Sequence, residues 1–370
     1  MALTDLRVTK FAKILVNYSA KAKKGERALI VSDWLARPLA LEVYKELLRA
    51  GVVEILVHFE VDEQILSRSY NEFSESYLKL AKPFQINAYP KLGEQITKGI
   101  DLWFRLYAQT NTRGFANIDS AKITQRTKII KPLIDHRVEK TKWVLTEFPT
   151  EATAQDADMS LAEREDFVYG SVIDIDWEKK SKEQDKLVKR LNKTKDVHII
   201  GEETDLRLKI TGRKAENGDG KFNMPDGEVF TSVIEDSTDG FITYTYPAIY
   251  LGKEFHQVRL EFAGGRVIKA LASKGHEDLN KILDMDDGAR IIGELGIGNN
   301  FKISKFTKNI LFDEKIGGSI HLALGNGYKE TGSKNESALH WDMIKDLRKG
   351  GELWFDEELV QKDGKWLIRF

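Results

Sequence analysis

Hydrophobic positions in the first 200 residues alternate between helical periodicity and short apolar runs. Stretches with one apolar face predict helices at residues 5–20, 38–50, 62–80, 118–139 and 161–194. The apolar runs predict strands at residues 27–32, 52–59, 102–107, 143–146 and 197–200. Strands separated by helices at this spacing form parallel sheets. The sequence therefore predicts an open, parallel α/β domain covering residues 1–203.

The hydrophobic period changes near residue 200. Residues 206–210 alternate strictly between apolar and polar side chains, which indicates a strand with one buried face. Further predictions are a strand at 241–246, a hairpin at 258–270 and a final hairpin made of 351–355 and 365–368. Gly264 and Gly265 suit the turn of the first hairpin. The sequence predicts a second, mainly antiparallel α+β domain at residues 204–370.

The composition is that of a globular chain without a strong charge preference. The 370 residues are 41% hydrophobic, and 57 basic side chains nearly balance 58 acidic ones. This balance argues against binding nucleic acid through a basic surface. No apolar run approaches the ~18 residues of a membrane span, so we expect a cytoplasmic protein without membrane partners. The lack of cysteine excludes disulfides, thiolate metal ligands and a cysteine nucleophile.

Carboxylates and histidines recur in the apolar, glycine-rich segments of the second half. Glu294 follows a β-like run that ends at Gly293, and His321 lies within an apolar segment. His340 and Asp342 are two residues apart, so both side chains would share one face of an extended strand. Each residue alone is an ordinary surface acid or core histidine, but together they suit zinc, cobalt or manganese. With Glu228 and Glu314 in the same half, carboxylates outnumber histidines. This excess favours two metal ions, because bridging carboxylates offset two dications.

Five phrases in this half resemble the thermophilic metallo-aminopeptidases, the family of aminopeptidase T, AmpS and PepS. They are Asp219–Thr231, Gly293–Glu294, Leu311–Glu314, His321–Tyr328 and His340–Asp342. The resemblance covers the whole chain in layout and is specific in the second half. It implies that residues 204–370 are the metal-binding catalytic domain. It implies a homodimeric hydrolase that removes amino-terminal residues from peptides and uses two divalent ions per chain.

The resemblance also implies roles for individual residues. Those that match the family's metal-binding positions are Glu228, Glu294, Glu314, His321, His340 and Asp342. Tyr328 matches a tyrosine that lines the site. In the implied mechanism, Glu294 takes the proton of the attacking water and passes it to the leaving amine. Tyr328 donates a hydrogen bond to the oxyanion.

Two features depart from the family pattern. Gly317 and Gly318 lengthen the loop between Glu314 and His321, which makes Glu314 the least secure ligand, and the connection from His321 to His340 is short. Two other functions stay open. One is a dinuclear metal amidase or deacylase that acts on non-peptide substrates. The other is a non-catalytic protein of the same fold that binds metal or small molecules.

Overall fold

The computed structural model describes residues 5–59, 71–115, 117–250 and 252–368. The helices are α1 (Leu6–Lys13), α2 (Arg37–Arg49), α3 (Glu72–Leu80), α4 (Pro83–Ile86), α5 (Lys91–Lys98), α6 (Ser120–Lys140), α7 (Glu151–Asp156), α8 (Leu161–Ile173), α9 (Trp177–Leu191), α10 (His276–Leu283) and α11 (Ile310–Asp313). The strands are β1 (Arg27–Ser32), β2 (Glu54–Phe59), β3 (Leu102–Tyr107), β4 (Lys142–Glu147), β5 (Asp196–Gly201), β6 (Thr204–Lys209), β7 (Ala215–Gly218), β8 (Asn223–Met224), β9 (Glu228–Thr231), β10 (Asp239–Thr243), β11 (Ala248–Tyr250), β12 (Lys253–Phe255), β13 (Arg259–Ala263), β14 (Arg266–Leu271), β15 (Ile292–Gly298), β16 (Ser319–Gly325), β17 (His340–Asp346), β18 (Glu352–Phe355), β19 (Glu358–Lys362) and β20 (Lys365–Trp366).

The chain divides into two compact units. The first comprises residues 1–175 and 220–225, and the second comprises 176–219 and 226–370. The boundary drawn from the sequence, between residues 203 and 204, falls inside the second unit. Side chains of α9 and β5 belong to the hydrophobic core of that unit. Moreover, β5 pairs antiparallel with β6 and β18 and not with the strands of the parallel sheet.

The first unit contains a parallel sheet with the strand order β2-β1-β3-β4-β8. Residues of β1 and β3 are almost all buried, as parallel strands covered by helices require. Gly51 follows α2 with φ +81°, a conformation that glycine adopts without strain. The α/β prediction is confirmed. The start of the helix predicted at 62–80 lies outside the described residues, which show α3 from Glu72.

Antiparallel sheets dominate the second unit. One has the order β14-β13-β10-β6-β5-β18-β19-β20 and another the order β17-β16-β15-β9-β7. The predicted hairpin of β13 and β14 is confirmed, and Gly264 and Gly265 form its turn with φ +54° and +82°. None of the helices in the described part of the chain combines the length and apolar character needed to cross a bilayer.

The last hairpin differs from the prediction. Residues 351–355 were expected to pair with 365–368, but β18 pairs with β19, and β20 pairs with β19 from the other side. The chain reverses earlier because Asp356, with φ +57°, forms a tight turn directly after β18. The predicted turn around Asp363 and Gly364 is present, but it joins β19 to β20.

Candidate metal centre

Five of the six predicted metal ligands lie on the sheet formed by β17, β16, β15, β9 and β7, which we call the donor sheet. Alternate residues of a strand face opposite sides. One face is apolar and lies in the core of the second unit, through Val229, Leu295, Ile297, Leu322, Leu324, Trp341 and Met343. On the other face, the donor face, the ligand candidates stand opposite small residues: Glu228 opposite Gly298, Glu294 and Asp342 opposite Ala323, His321 opposite Gly296, and His340 opposite Gly325. The small residues leave room for the polar side chains between them.

A bulge at Gly293 turns Glu294 onto the donor face. Ile292 stands opposite Leu324 across the β15–β16 pair. Glu294 stands opposite Ala323, so Gly293 is an extra residue in β15. Regular alternation from Ile292 would have directed Glu294 to the apolar face. A Cβ at residue 293 would lie 2.4 Å from a carbonyl oxygen of β16, so only glycine fits there.

Gly296 makes the space that the His321 ring occupies. A Cβ at residue 296 would lie 1.9 Å from His321 Cε1 and 2.0 Å from Nε2. These distances are far inside van der Waals contact, so any side chain at this position would displace the imidazole. The two glycines near Glu294 therefore have different structural effects. The bulge at Gly293 places the carboxylate on the donor face, and Gly296 leaves space for the His321 ring.

The first donor group consists of Glu228, Glu314 and His321, whose ligand atoms lie within 4.8 Å of one another. Glu314 directly follows α11 and stays in this group although Gly317 and Gly318 lengthen the loop to β16. His321 Nδ1 donates a hydrogen bond to the Glu314 carbonyl oxygen at 3.1 Å. Its Nε2 then faces Glu228 Oε2 at 3.4 Å. Such an outer hydrogen bond is the usual way in which a protein fixes a metal-ligating imidazole.

The second donor group consists of Glu294, His340 and Asp342, again with ligand atoms within 4.8 Å of one another. His340 Nδ1 donates to the Asn326 carbonyl oxygen at 2.8 Å. Its Nε2 lies 3.5 Å from Asp342 Oδ2 and 3.8 Å from Glu294 Oε2. Glu294 Oε1 also lies 3.4 Å from His321 Nε2, so this carboxylate lies between the two donor groups.

The donor face is rich in negative charge, and some of its buried carboxylate oxygens accept no hydrogen bond from the described residues. Burial raises the pKa of Glu228 and Glu294. Burial alone would lower the pKa of His321, but the hydrogen bond with Glu294 and the nearby carboxylates raise it to about 10. Within the described residues, Glu228 Oε2 and Glu294 Oε2 are buried without a hydrogen-bond partner. A divalent metal ion would supply positive charge beside these buried oxygens. Carboxylate oxygens and imidazole nitrogens are among the usual ligands of such ions.

His340 and Asp342 show the same attraction for positive charge. Burial alone would lower the pKa of His340, but the adjacent Asp342 carboxylate raises it to about 10. Burial opposes ionisation of Asp342, yet His340 lowers its pKa to about 2. A divalent ion would take the place of the imidazolium protons in this balance.

Lys315 is a buried cation next to the first donor group. Its side chain is 0% exposed, and Nζ donates a hydrogen bond to Glu314 and lies 3.7 Å from Glu228 Oε1. Burial would lower the pKa of the ammonium group, but the charges of Glu314, Glu228 and Asp226 outweigh burial and raise it. Burial of this lysine was not expected from the sequence, because an acid followed by a lysine is typical of a solvated loop.

Tyr328 lies at the edge of the donor face. Its ring centre is 5.6 Å from that of His340 and 5.5 Å from that of Phe230. Partial burial, together with the charges of Glu294 and Asp342, raises the pKa of the phenol, although 46% of the residue remains exposed. The hydroxyl therefore stays protonated near neutral pH and can act as a hydrogen-bond donor.

Two groups of buried carboxylates and histidines on one part of the fold are typical of a metal-binding protein. The chain belongs to the thermophilic metalloprotease family (M29), whose model matches residues 4–366. This membership confirms two predictions made from the sequence: the protein is a metalloprotease, and it belongs to the family that it resembles.

Individual relatives agree with the family. Aminopeptidase 2 of Geobacillus stearothermophilus is 25% identical over 411 residues, which cover 98% of this chain and 95% of that protein. The solved structure of wild-type AmpT from Thermus thermophilus shares the fold with a TM-score of 0.84 at 19% identity, covering 98% of this chain and 99% of that one. A 2,5-dihydroxypyridine dioxygenase from Pseudomonas putida KT2440 is a more distant match, with a TM-score of 0.58 at 12% identity over 98% and 96% of the two chains.

Proposed function

We propose that the two donor groups bind two divalent ions in a metallo-aminopeptidase. Glu228, Glu314 and His321 would hold one ion, and Glu294, His340 and Asp342 the other. The observation that carries the proposal is the pair of buried oxygens, Glu228 Oε2 and Glu294 Oε2, without hydrogen-bond partners within the described residues. Each belongs to a different donor group. Mixed carboxylate and imidazole ligands favour zinc, cobalt or manganese.

Glu294 is suited to move the proton of the attacking water. When bound, the metal ions would lower the pKa of a water molecule and polarise the scissile carbonyl group. The Glu294 carboxylate lies between the two donor groups, so it is positioned to accept a proton from a water molecule held there. It would accept the proton from water and deliver it to the leaving amine, as the resemblance implies.

Tyr328 is suited to stabilise the oxyanion. A neutral phenol at the edge of the donor face can donate a hydrogen bond to negative charge that develops on the carbonyl oxygen. The carboxylates around it disfavour the phenolate, so Tyr328 is a poorer metal ligand than the acids. We therefore assign it to the reaction and not to metal binding.

The aminopeptidase activity has a direct test. The family description and the name of the relative from G. stearothermophilus support removal of amino-terminal residues from peptides. Purified protein should release p-nitroaniline from leucine p-nitroanilide, lose this activity on dialysis against a chelator, and regain it with zinc, cobalt or manganese. Cleavage by protein that elemental analysis shows to be metal-free would contradict the proposal.

Blocking the substrate amine separates this function from the alternatives. An aminopeptidase should leave N-acetyl-leucine p-nitroanilide intact, whereas an amidase or deacylase of broad specificity would accept a blocked amine. A protein that binds metal but hydrolyses neither compound would be a non-catalytic binder. The dioxygenase match shows that this fold alone does not determine the reaction.

The homodimer and the cytoplasmic location are also part of the proposal. The dimer is supported by the family resemblance, while the aromatic side chains of the last strands offer little support. Phe355 is buried in the core, and Trp366 donates a hydrogen bond to Asn299. Light scattering should give twice the 42.2 kDa chain mass, and a monomer mass at micromolar concentration would contradict the dimer.

A further inference from the structure

The two donor groups differ in the cations that already neutralise them. In the first group, Lys315 Nζ donates to Glu314 and lies 3.7 Å from Glu228 Oε1. In the second group, the charged nitrogen partners within the described residues are histidine nitrogens alone. When the histidines are neutral, as metal ligands must be, the two ligand carboxylates and the lysine of the first group sum to one negative charge. The two ligand carboxylates of the second group sum to two negative charges.

Hydrogen bonds hold the backbone of Lys315 in place beside the first group. Lys315 N donates to the Phe312 carbonyl oxygen at 3.0 Å, and the Lys315 carbonyl oxygen accepts from Asn300 N at 3.0 Å. The side chain is 0% exposed, so the ammonium group is enclosed by protein. An ion that enters this group must therefore either push the ammonium aside or share the carboxylates with it.

We propose that Lys315 makes the two metal sites unequal. The second donor group binds its ion first and tightly. The first donor group binds its ion more weakly, because the ammonium group competes for Glu228 and Glu314. This inference rests on the proposed function, since it requires that both groups bind metal. It assigns to Lys315 a role in setting metal occupancy, and free metal concentration would then control the fraction of dinuclear protein.

Cobalt titration of metal-free protein tests the order of binding. Equilibrium dialysis and visible absorption should show a first Co²⁺ per chain, followed by a second that binds roughly tenfold or more weakly. His340→Ala should remove the tight step and keep the weak one. Glu228→Gln should do the opposite. Two ions that bind the wild-type chain with equal affinity would overturn the inference.

Lys315→Met tests the cause. Without the ammonium group, the second Co²⁺ should bind roughly tenfold or more tightly, because the carboxylates lose their competing cation. The metal-free variant should melt below the wild type, and metal should raise its melting temperature by a larger increment. Lys345→Met is the matched control: Lys345 is also buried, but its ammonium group donates to the Glu202 and Thr243 carbonyl oxygens.

The outcomes distinguish the inference from the proposed function. If Lys315→Met loses the second ion, the lysine is a metal ligand and the inference is wrong. If both titration steps are unchanged in Lys315→Met, the lysine does not set occupancy, and the dinuclear proposal still stands. If wild-type protein binds no metal at all, the proposed function fails first. Should Lys315→Met not fold without metal, the wild-type titration and Lys315→Gln decide the question.

Discussion

Buried carboxylates near the parallel sheet and in the two donor groups differ in the cations that accompany them. In the first unit, Glu147 and Arg164 are both 0% exposed, and Glu147 Oε1 accepts from Arg164 Nη2 at 2.7 Å and Nε at 3.1 Å. Asp33 accepts from Arg105 Nη2 and from a backbone N–H, both at 2.7 Å. Each acid has an arginine cation directly beside it.

In the described part of the chain, the acids of the two donor groups pair with histidines and one lysine, and not with arginine. Four carboxylates share two histidines and one lysine, and Glu228 and Glu294 each keep a buried oxygen without a hydrogen bond in the part of the chain that the structure describes. Burying an unpaired charge is costly, so natural sequences retain such an arrangement where a ligand completes it. Burial alone therefore does not distinguish a structural acid from a functional one; the balance of nearby charge does.

Metal removal should produce the largest effect and act on the donor face alone. Chelation should lower turnover of leucine p-nitroanilide by roughly 10³ or more, because a metal centre supplies several kcal/mol of charge stabilisation. Far-ultraviolet circular dichroism should stay that of the folded protein. Elemental analysis, circular dichroism and turnover belong on the same sample. Unchanged turnover without metal would mean that the unpaired acids serve another purpose.

Loss of a second-group ligand should approach the effect of metal removal. His340→Ala and Asp342→Asn should each lower kcat/KM by roughly 10³ and reduce bound metal, since each removes a donor from one ion. Asp346→Asn is the control, because Asp346 lies on the same strand but pairs with Arg348. Wild-type metal content and rate in both ligand variants would show that the second donor group is not a metal site.

Gly296→Ala tests whether the donor geometry depends on the space above this glycine. The added methyl group would occupy the position of the His321 ring. We expect weaker metal binding and a fall in kcat/KM of about 10², the upper end for disturbing the support of a metal ligand. Gly170→Ala, at a helical glycine with 3.7 Å of clearance, should keep both properties. Equilibrium dialysis measures the metal affinity of both variants. A wild-type affinity in Gly296→Ala would show that metal binding does not depend on the space left by this glycine.

Tyr328→Phe should lower turnover without changing the charge balance of the donor face. We expect a fall in kcat of roughly 10²–10³, the cost of losing one oxyanion donor, with KM and metal content nearly unchanged. Tyr246→Phe is the control, since its hydroxyl donates to Asp346. If Tyr328→Phe melts at a lower temperature but keeps its turnover per folded molecule, the phenol serves packing only. Loss of metal would instead make it a ligand.

Repeating patterns along the chain made the parallel sheet and part of the donor face predictable. Buried strands at regular spacing indicate the parallel sheet, and the two-residue spacing of His340 and Asp342 indicates a shared face. Three features depend on single residues and escaped prediction. The bulge at Gly293 reverses the face of a strand, Asp356 forms a turn in a left-handed conformation, and Lys315 becomes a buried partner only when distant carboxylates fold around it. A periodic pattern contains no information about such exceptions.

The smallest effect on turnover is expected from Glu147→Gln in the first unit. This change leaves Arg164 buried beside a neutral amide, so it should lower the free energy of unfolding by roughly 3–5 kcal/mol, the cost of breaking a buried ion pair. Bound metal and turnover per folded molecule should stay at wild-type values, because the donor groups keep all their ligands. Guanidinium denaturation measures the free energy of unfolding, dialysis measures bound metal, and an activity assay measures turnover.

Glu54→Gln is the control, because Glu54 is exposed and pairs with Arg27 at the surface. We expect it to change the free energy of unfolding little. If Glu147→Gln instead loses metal and turnover while remaining folded, a well-partnered acid would be functional after all. The distinction between the parallel sheet and the donor face would then fail.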